Sequence, residues 1–179
     1  DEAERIREES EELNERINRE VDKMIDEDRK LNEDIRRTVE EMVREIKELL
    51  DRIRKVLEEN PEKKEEIEKL IRRVKEKIRK AKEDLERLLR ELEDRNRKVK
   101  KKLEDLIRED EERIRRAEEA GVDKEIIKEL RETTERSRKR LEELIRDSEE
   151  KNRRTEDELE KIIRELDERL RRLEEEARK

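Results

Sequence analysis

Across 179 residues the helical pattern is interrupted in only two places. The first is Glu58-Glu59-Asn60-Pro61-Glu62, and the second is Ala120-Gly121-Val122-Asp123-Lys124. Elsewhere the chain is built from strong helix formers. Asn60 is a candidate cap for a second helix, with Pro61 in its first position, where a missing N–H is no loss. Gly121 suits the left-handed residue that ends a helix, and Asp123 the cap that starts the next. Val122 and Ile127 then stand at the positions of a hydrophobic staple. The pattern predicts helices at 2–59, 61–119 and 123–178. Each has about 57 residues and a length of ~85 Å at the α-helical rise. Short connections make consecutive helices antiparallel neighbours. The expectation is an all-α fold: one up-down-up antiparallel three-helix bundle spanning 1–179.

The apolar residues recur along one seam of each helix. On helix 1 the seam runs from Ala3 to Ile53 through Leu31, Met42 and Leu49. On helix 2 it runs from Ile67 to Ala117 through Ile71 and Leu88, and on helix 3 from Ile127 to Ala177 through Ile162. Each seam takes 14 steps over 50 residues, a period of 3.57. That value lies between a left-handed coiled coil and a straight helix, so a slight left-handed supercoil is predicted. Nine of the 45 seam positions are polar and 36 apolar. The other 13 apolar residues, among them Ile25, Val43, Leu70, Leu89, Ile145 and Ile163, flank the seam. This supply fills a thin three-helix core. A fourth helix would need wider stripes, which residues 3–24 lack.

Composition decides what such a bundle can do. Charged residues number 115, as 54 Lys plus Arg and 61 Asp plus Glu, for a net charge of −7. So high a charged share usually signals disorder, but the mixed signs and the periodic apolar seam argue for a fold. With no His or Cys there is no zinc site, thiol nucleophile or imidazole base. One Gly rules out a phosphate-cradling glycine loop. No enzyme activity, cofactor or metal is expected, and the helical Glu-x-x-His signature of di-iron bundles needs a His the chain lacks. No stretch approaches the ~18 apolar residues of a membrane span. The opening DEAERIREES does not read as a signal peptide. Absence of Cys fits a reducing compartment and equally a deliberate exclusion.

Glu-to-Arg/Lys pairs at i,i+4 cover the faces: Glu68–Arg72, Glu83–Arg87, Glu109–Arg113, Glu135–Lys139, Glu142–Arg146 and Glu165–Arg169. They read as solvated ion pairs rather than metal ligands. The basic run Arg95–Lys102 has no aromatic partners for stacked bases. Antiparallel pairing sets it beside Glu20, Asp22, Asp26 and Glu27, with Glu142 and Glu143 near. Charge matching between helices is therefore favoured over nucleic-acid binding.

The polar seam residues carry the most information. Folding at both breaks pairs position i of helix 1 with about 121 − i of helix 2, and position j of helix 2 with about 243 − j of helix 3. Ser10 then meets Asp110 and Thr133/Thr134, with Asn14 and Ser137 within a turn. Asp28 meets Asn96, Ser148 and Asn152, and Asn32 lies level with Thr155. Two polar belts are predicted, Ser10/Asp110/Thr134/Ser137 and Asp28/Asn96/Ser148/Asn152, with Thr155 beside the second. A thin bundle leaves either aspartate free to lean toward solvent or an Arg. Buried networks that set register are favoured over a ligand pocket, since no glycine or small-residue patch accompanies them.

On these features the chain resembles de novo designed helical bundles with buried hydrogen-bond networks. The resemblance covers the near-equal helices, the loops ENPEK and AGVDKE, the Glu/Lys/Arg surface, the Ile/Leu/Val core and the confined polar layers. The lack of Gln and the two seam aspartates depart from that pattern. The resemblance implies a structural scaffold without a natural substrate, monomeric and needing no partner. The alternative it leaves open is a three-helix host for a partner helix in a designed heterodimer, switch or assembly. A spectrin-like spacer is disfavoured by the missing core aromatics.

Overall fold

The computed structural model describes residues 2–179. Three helices make up the chain: α1 (Glu2–Glu59), α2 (Lys64–Glu119) and α3 (Lys124–Arg178). They form an up-down-up three-helix bundle fold without a strand among the described residues.

The second break behaves as its residues dictate. Gly121 has φ +84°, the left-handed conformation. Its N–H donates to the Glu118 carbonyl at 3.1 Å, and that of Val122 reaches back to Ala117 at 3.1 Å. These are the paired bonds of a Schellman end, with Val122 packed onto the cluster that holds Ala117. Asp123 then accepts the Glu125 N–H at 3.0 Å and caps α3.

The first break differs from expectation. The Asn60 carbonyl accepts the Lys63 N–H at 3.1 Å, which closes a turn over Pro61 and Glu62. The first carbonyl to accept at helical spacing is that of Lys63, just before α2, from Ile67 at 3.1 Å. So α2 starts at Lys64, three residues after the expected Pro61. Pro61 takes the second position of a β-turn, which its fixed φ suits as well as a helix start.

The chain divides into two compact units, each drawing on all three helices. Unit 1 takes the α1 residues up to Lys30 with Leu92–Lys151, and unit 2 takes Leu31–Glu91 with Asn152–Lys179. In unit 1 the core is Leu13, Ile17, Val21 and Met24 against Leu103, Ile107 and Leu141. A second cluster joins Ile6 to Ile114, Ala117, Ile127 and Leu130. Unit 2 buries Val39, Ile46 and Ile53 with Val74, Ala81 and Leu159, all fully enclosed.

The buried stripe departs from the predicted seam by one residue at several points. Asn32, Val43 and Leu50 are buried, while Leu31, Met42 and Leu49 are half-buried. Likewise Leu70, Leu89 and Ile163 are buried, with Ile71, Leu88 and Ile162 at the margin. Four residues placed on the flank, Val43, Leu70, Leu89 and Ile163, are thus core. Ile145 is half-buried, and Ile25 is exposed. From Ile6 to Leu50 the α1 stripe takes 12 steps over 44 residues, a period of 3.67. From Ile67 to Leu89 on α2 it takes six steps over 22 residues, the same value. An 11-residue repeat, not a seven-residue one, describes these stripes.

Of the six surface pairs named from the sequence, Glu109–Arg113 is made, at 3.7 Å. Arg side chains elsewhere fork between two carboxylates: Arg79 meets Glu76 and Glu83, and Arg115 meets Glu112 and Glu119. Arg169 leaves its own helix for Asp51. The basic run matches charge across helices only in part. Arg95 pairs with Glu27 and Lys102 with Glu20, but Arg97 stays on Asp94 of its own helix.

Candidate functional site

Polar side chains enter the core in three sets. The first, in unit 1, centres on Asp110 of α2, which is 0% exposed. Ser10 Oγ donates to its Oδ1 at 2.9 Å. Asn14 Nδ2 donates to Oδ2 at 3.1 Å, and Thr134 Oγ1 also donates to Oδ2. Asn14 is the hub. Its amide donates to the Ser10 carbonyl at 2.9 Å, and its Oδ1 accepts from Ser137 Oγ at 2.7 Å. All three helices contribute, and Asp110 meets neutral donors rather than an Arg or solvent.

The second set, also in unit 1, hinges on Asn96. Its Nδ2 donates to Asp28 Oδ1 at 2.9 Å and to Ser148 Oγ at 3.1 Å. Asp28 and Ser148 are buried, and Asn96 is half-buried. The adjacent Arg95–Glu27 pair ties the same two helices from outside.

The third set lies in unit 2 and joins α1 to α3. Asn32 Nδ2 donates to Asn152 Oδ1 at 2.9 Å, and Thr155 Oγ1 donates to Asn32 Oδ1 at 3.0 Å. Arg36 continues the chain outward, donating to Thr155 Oγ1 at 3.3 Å and to Glu158 Oε2 at 2.7 Å.

The sequence reading placed Asn152 in a belt with Asp28 and Asn96. The structure corrects this: Asn152 accepts from Asn32, and the Asn96 amide spends both its hydrogens on Asp28 and Ser148. Asn32 enters the core because the stripe takes it in place of Leu31. Ser10, Asp110, Thr134 and Ser137 do come together, as do Asp28, Asn96 and Ser148. The residues undervalued from sequence are Asn14 and Asn32, the two amides that link the other members. Their signal was spacing: each stands four residues after a polar seam residue, Ser10 or Asp28.

No buried side-chain polar atom among the described residues lacks a hydrogen-bond partner. Chemically the Asp110 set is closed. Ser10 and Asp110 are both fully enclosed, so a hydroxyl beside a carboxyl here has no route to a substrate. Among the described residues no group of three or more Asp or Glu could hold a metal ion. Nor is any helix among them long and apolar enough to cross a membrane. An open groove of about 600 Å³ lies between α2 and α3 of unit 1 over Ile107, Leu141 and Ile145. Lys100, Arg108, Arg146 and Glu142 wall it, without convergent polar groups.

Exposed carboxyls show where charge is held on the surface. A hydrogen bond from Lys30 holds the Asp26 carboxyl below its ordinary value. Lys77 acts so on Glu45, Arg79 on Glu76 and Arg115 on Glu112. These are ion pairs on a solvated face, the ordinary reason for such shifts.

No protein-family model and no curated protein matches the sequence. A solved structure described as a computationally designed three helix bundle is similar in fold. It shares 23% identity at a TM-score of 0.55, over 99% of this chain and 87% of that one.

Proposed function

We propose that the chain is a designed structural scaffold, a monomeric three-helix bundle whose buried polar sets dictate which helix faces pair. The observation that carries this reading is the mutual satisfaction of the buried polar atoms. Each polar residue in the core costs stability unless its partners stand in the intended places. A sequence that needed only stability would fill those places with Leu and Ile, so their presence points to specificity. The designed bundle that shares the fold supports a scaffold role, as does a sequence without His, Cys or aromatic residues. In this reading the chain turns over no substrate and needs no cofactor or partner.

Size-exclusion chromatography with light scattering tests it on two proteins. The parent chain should elute as one species of 22.3 kDa. A variant with all three polar sets replaced by apolar residues should be no less heat-stable and should elute as several species. A replaced variant that remains one equally well-ordered monomer would remove the specificity role.

A further inference from the structure

The α1 stripe superposes on itself when the helix advances by 11 residues. Ile6, Ile17, Asp28, Val39 and Leu50 form one row of that repeat, and Ser10, Val21, Asn32 and Val43 another. A third row, Leu13, Met24, Ile35 and Ile46, is apolar throughout. A seven-residue advance has no such symmetry, because it carries Arg36 into the place of Val43.

We infer that the pairing these polar sets exclude is α1 advanced by 11 residues against α2 and α3, and that the partner so excluded is a second copy of this chain. This rests on the scaffold reading. Eleven residues move the helix about 16.5 Å along its axis. Ser10, Asp28 and Asn32 would then sit where Val21, Val39 and Val43 do, and Asn96 and Asn152 would face Ile17 and Val21. Every other buried place from 17 to 53 along α1 would still receive an apolar residue. Over the span that both pairings share, the polar residues alone therefore separate them; at one end the advance also takes Ile6 off Ile114, Ala117, Ile127 and Leu130. Within one chain the short turn at Asn60–Lys63 already opposes the advance, since the last three turns of α1 would overhang it. A helix from a second copy meets no such limit.

The chain has no Cys, so introduced pairs report cleanly. Glu20 and Lys102 form an ion pair at 3.6 Å, so E20C/K102C marks the native pairing. Residue 9 takes the place of residue 20 after the advance, so E9C/K102C marks the alternative. Each pair is refolded from denaturant at high protein concentration and treated with a short bis-maleimide. Cross-linked peptides are then mapped in soluble and pelleted material alike. The parent should join 20 to 102 and not 9 to 102. Replacing all three polar sets with apolar residues should raise the 9-to-102 product at least about tenfold, the factor one unpaired buried polar group imposes. Mixed oligomers without that rise would overturn the 11-residue pairing and leave the scaffold reading standing. A single monomer joined only at 20 and 102 would overturn both.

Discussion

Asn14→Leu is the sharpest single test of the first polar set, because Asn14 links members on all three helices. The substitution removes the amide donor to Asp110 Oδ2 at 3.1 Å and the acceptor for Ser137 Oγ at 2.7 Å. Asp110 keeps Ser10 and Thr134, so its carboxyl loses one of three side-chain donors. Losing a hydrogen bond at a fully enclosed group costs about 1–3 kcal/mol. Ser137 can turn its hydroxyl onto the carbonyl four residues back, as Thr133 does onto Glu129 at 3.0 Å. Its loss therefore falls at the low end, about 1 kcal/mol. The Ser10 carbonyl keeps its helical bond and adds little. Against this, the leucine buries more apolar surface at a site 3% exposed. That returns roughly 1–2 kcal/mol if the side chain fits without strain. The net is a loss of roughly 0–3 kcal/mol, centred on about 1.5. Guanidinium denaturation followed by circular dichroism should show a lower midpoint at unchanged slope. Replacing the whole set, with Ser10→Ala, Asn14→Leu, Asp110→Leu, Thr134→Val and Ser137→Ala, should restore or exceed the parent midpoint. If Asn14→Leu alone exceeds the parent midpoint, the bonds are not what the core depends on there, and the reasoning fails.

Gly121→Ala meets no atom within 4 Å of the new methyl group, so only the φ of +84° opposes it. It should cost about 1–2 kcal/mol in chemical denaturation, and Gly121→Asn less, since Asn tolerates that conformation. Asn152→Leu should shift the side-chain amide resonances of Asn32 and lower the midpoint, because the Asn32 amide loses its acceptor. The carboxyl of Asp26 is held below its ordinary 3.8, and those of Glu45, Glu76 and Glu112 below their ordinary 4.5, by hydrogen bonds from Lys or Arg. Their small stabilisation is present above the ordinary values and fades as pH falls through the lowered ones. Carboxyl carbon titration by NMR should give midpoints below 3.8 and 4.5 for these groups, moving up with added salt; midpoints at or above those values would contradict the pairing.

Much of the fold is local chemistry and so is legible in the chain. Gly121 ends α2 and Asp123 opens α3 because a left-handed residue and a side-chain acceptor act within a few residues of themselves. Three helices follow from two breaks. The Asp110 set was also legible, since a fold back at each break brings Ser10, Asp110 and Thr134 level whatever the fine phase of each helix. Local rules were ambiguous at Pro61, which fits a turn or a helix start, and the turn won. What only tertiary packing decided is the phase of each stripe. Adjacent pairs such as Met42/Val43, Leu49/Leu50 and Leu88/Leu89 offer two apolar side chains about 100° apart, and either can face the core. Periods of 3.57 and 3.67 differ by a tenth of a residue per step and part by a whole residue only after about ten steps. Which member goes in is settled by the two helices opposite. The same choice brought Asn32 inward in place of Leu31 and thereby gave Asn152 its partner.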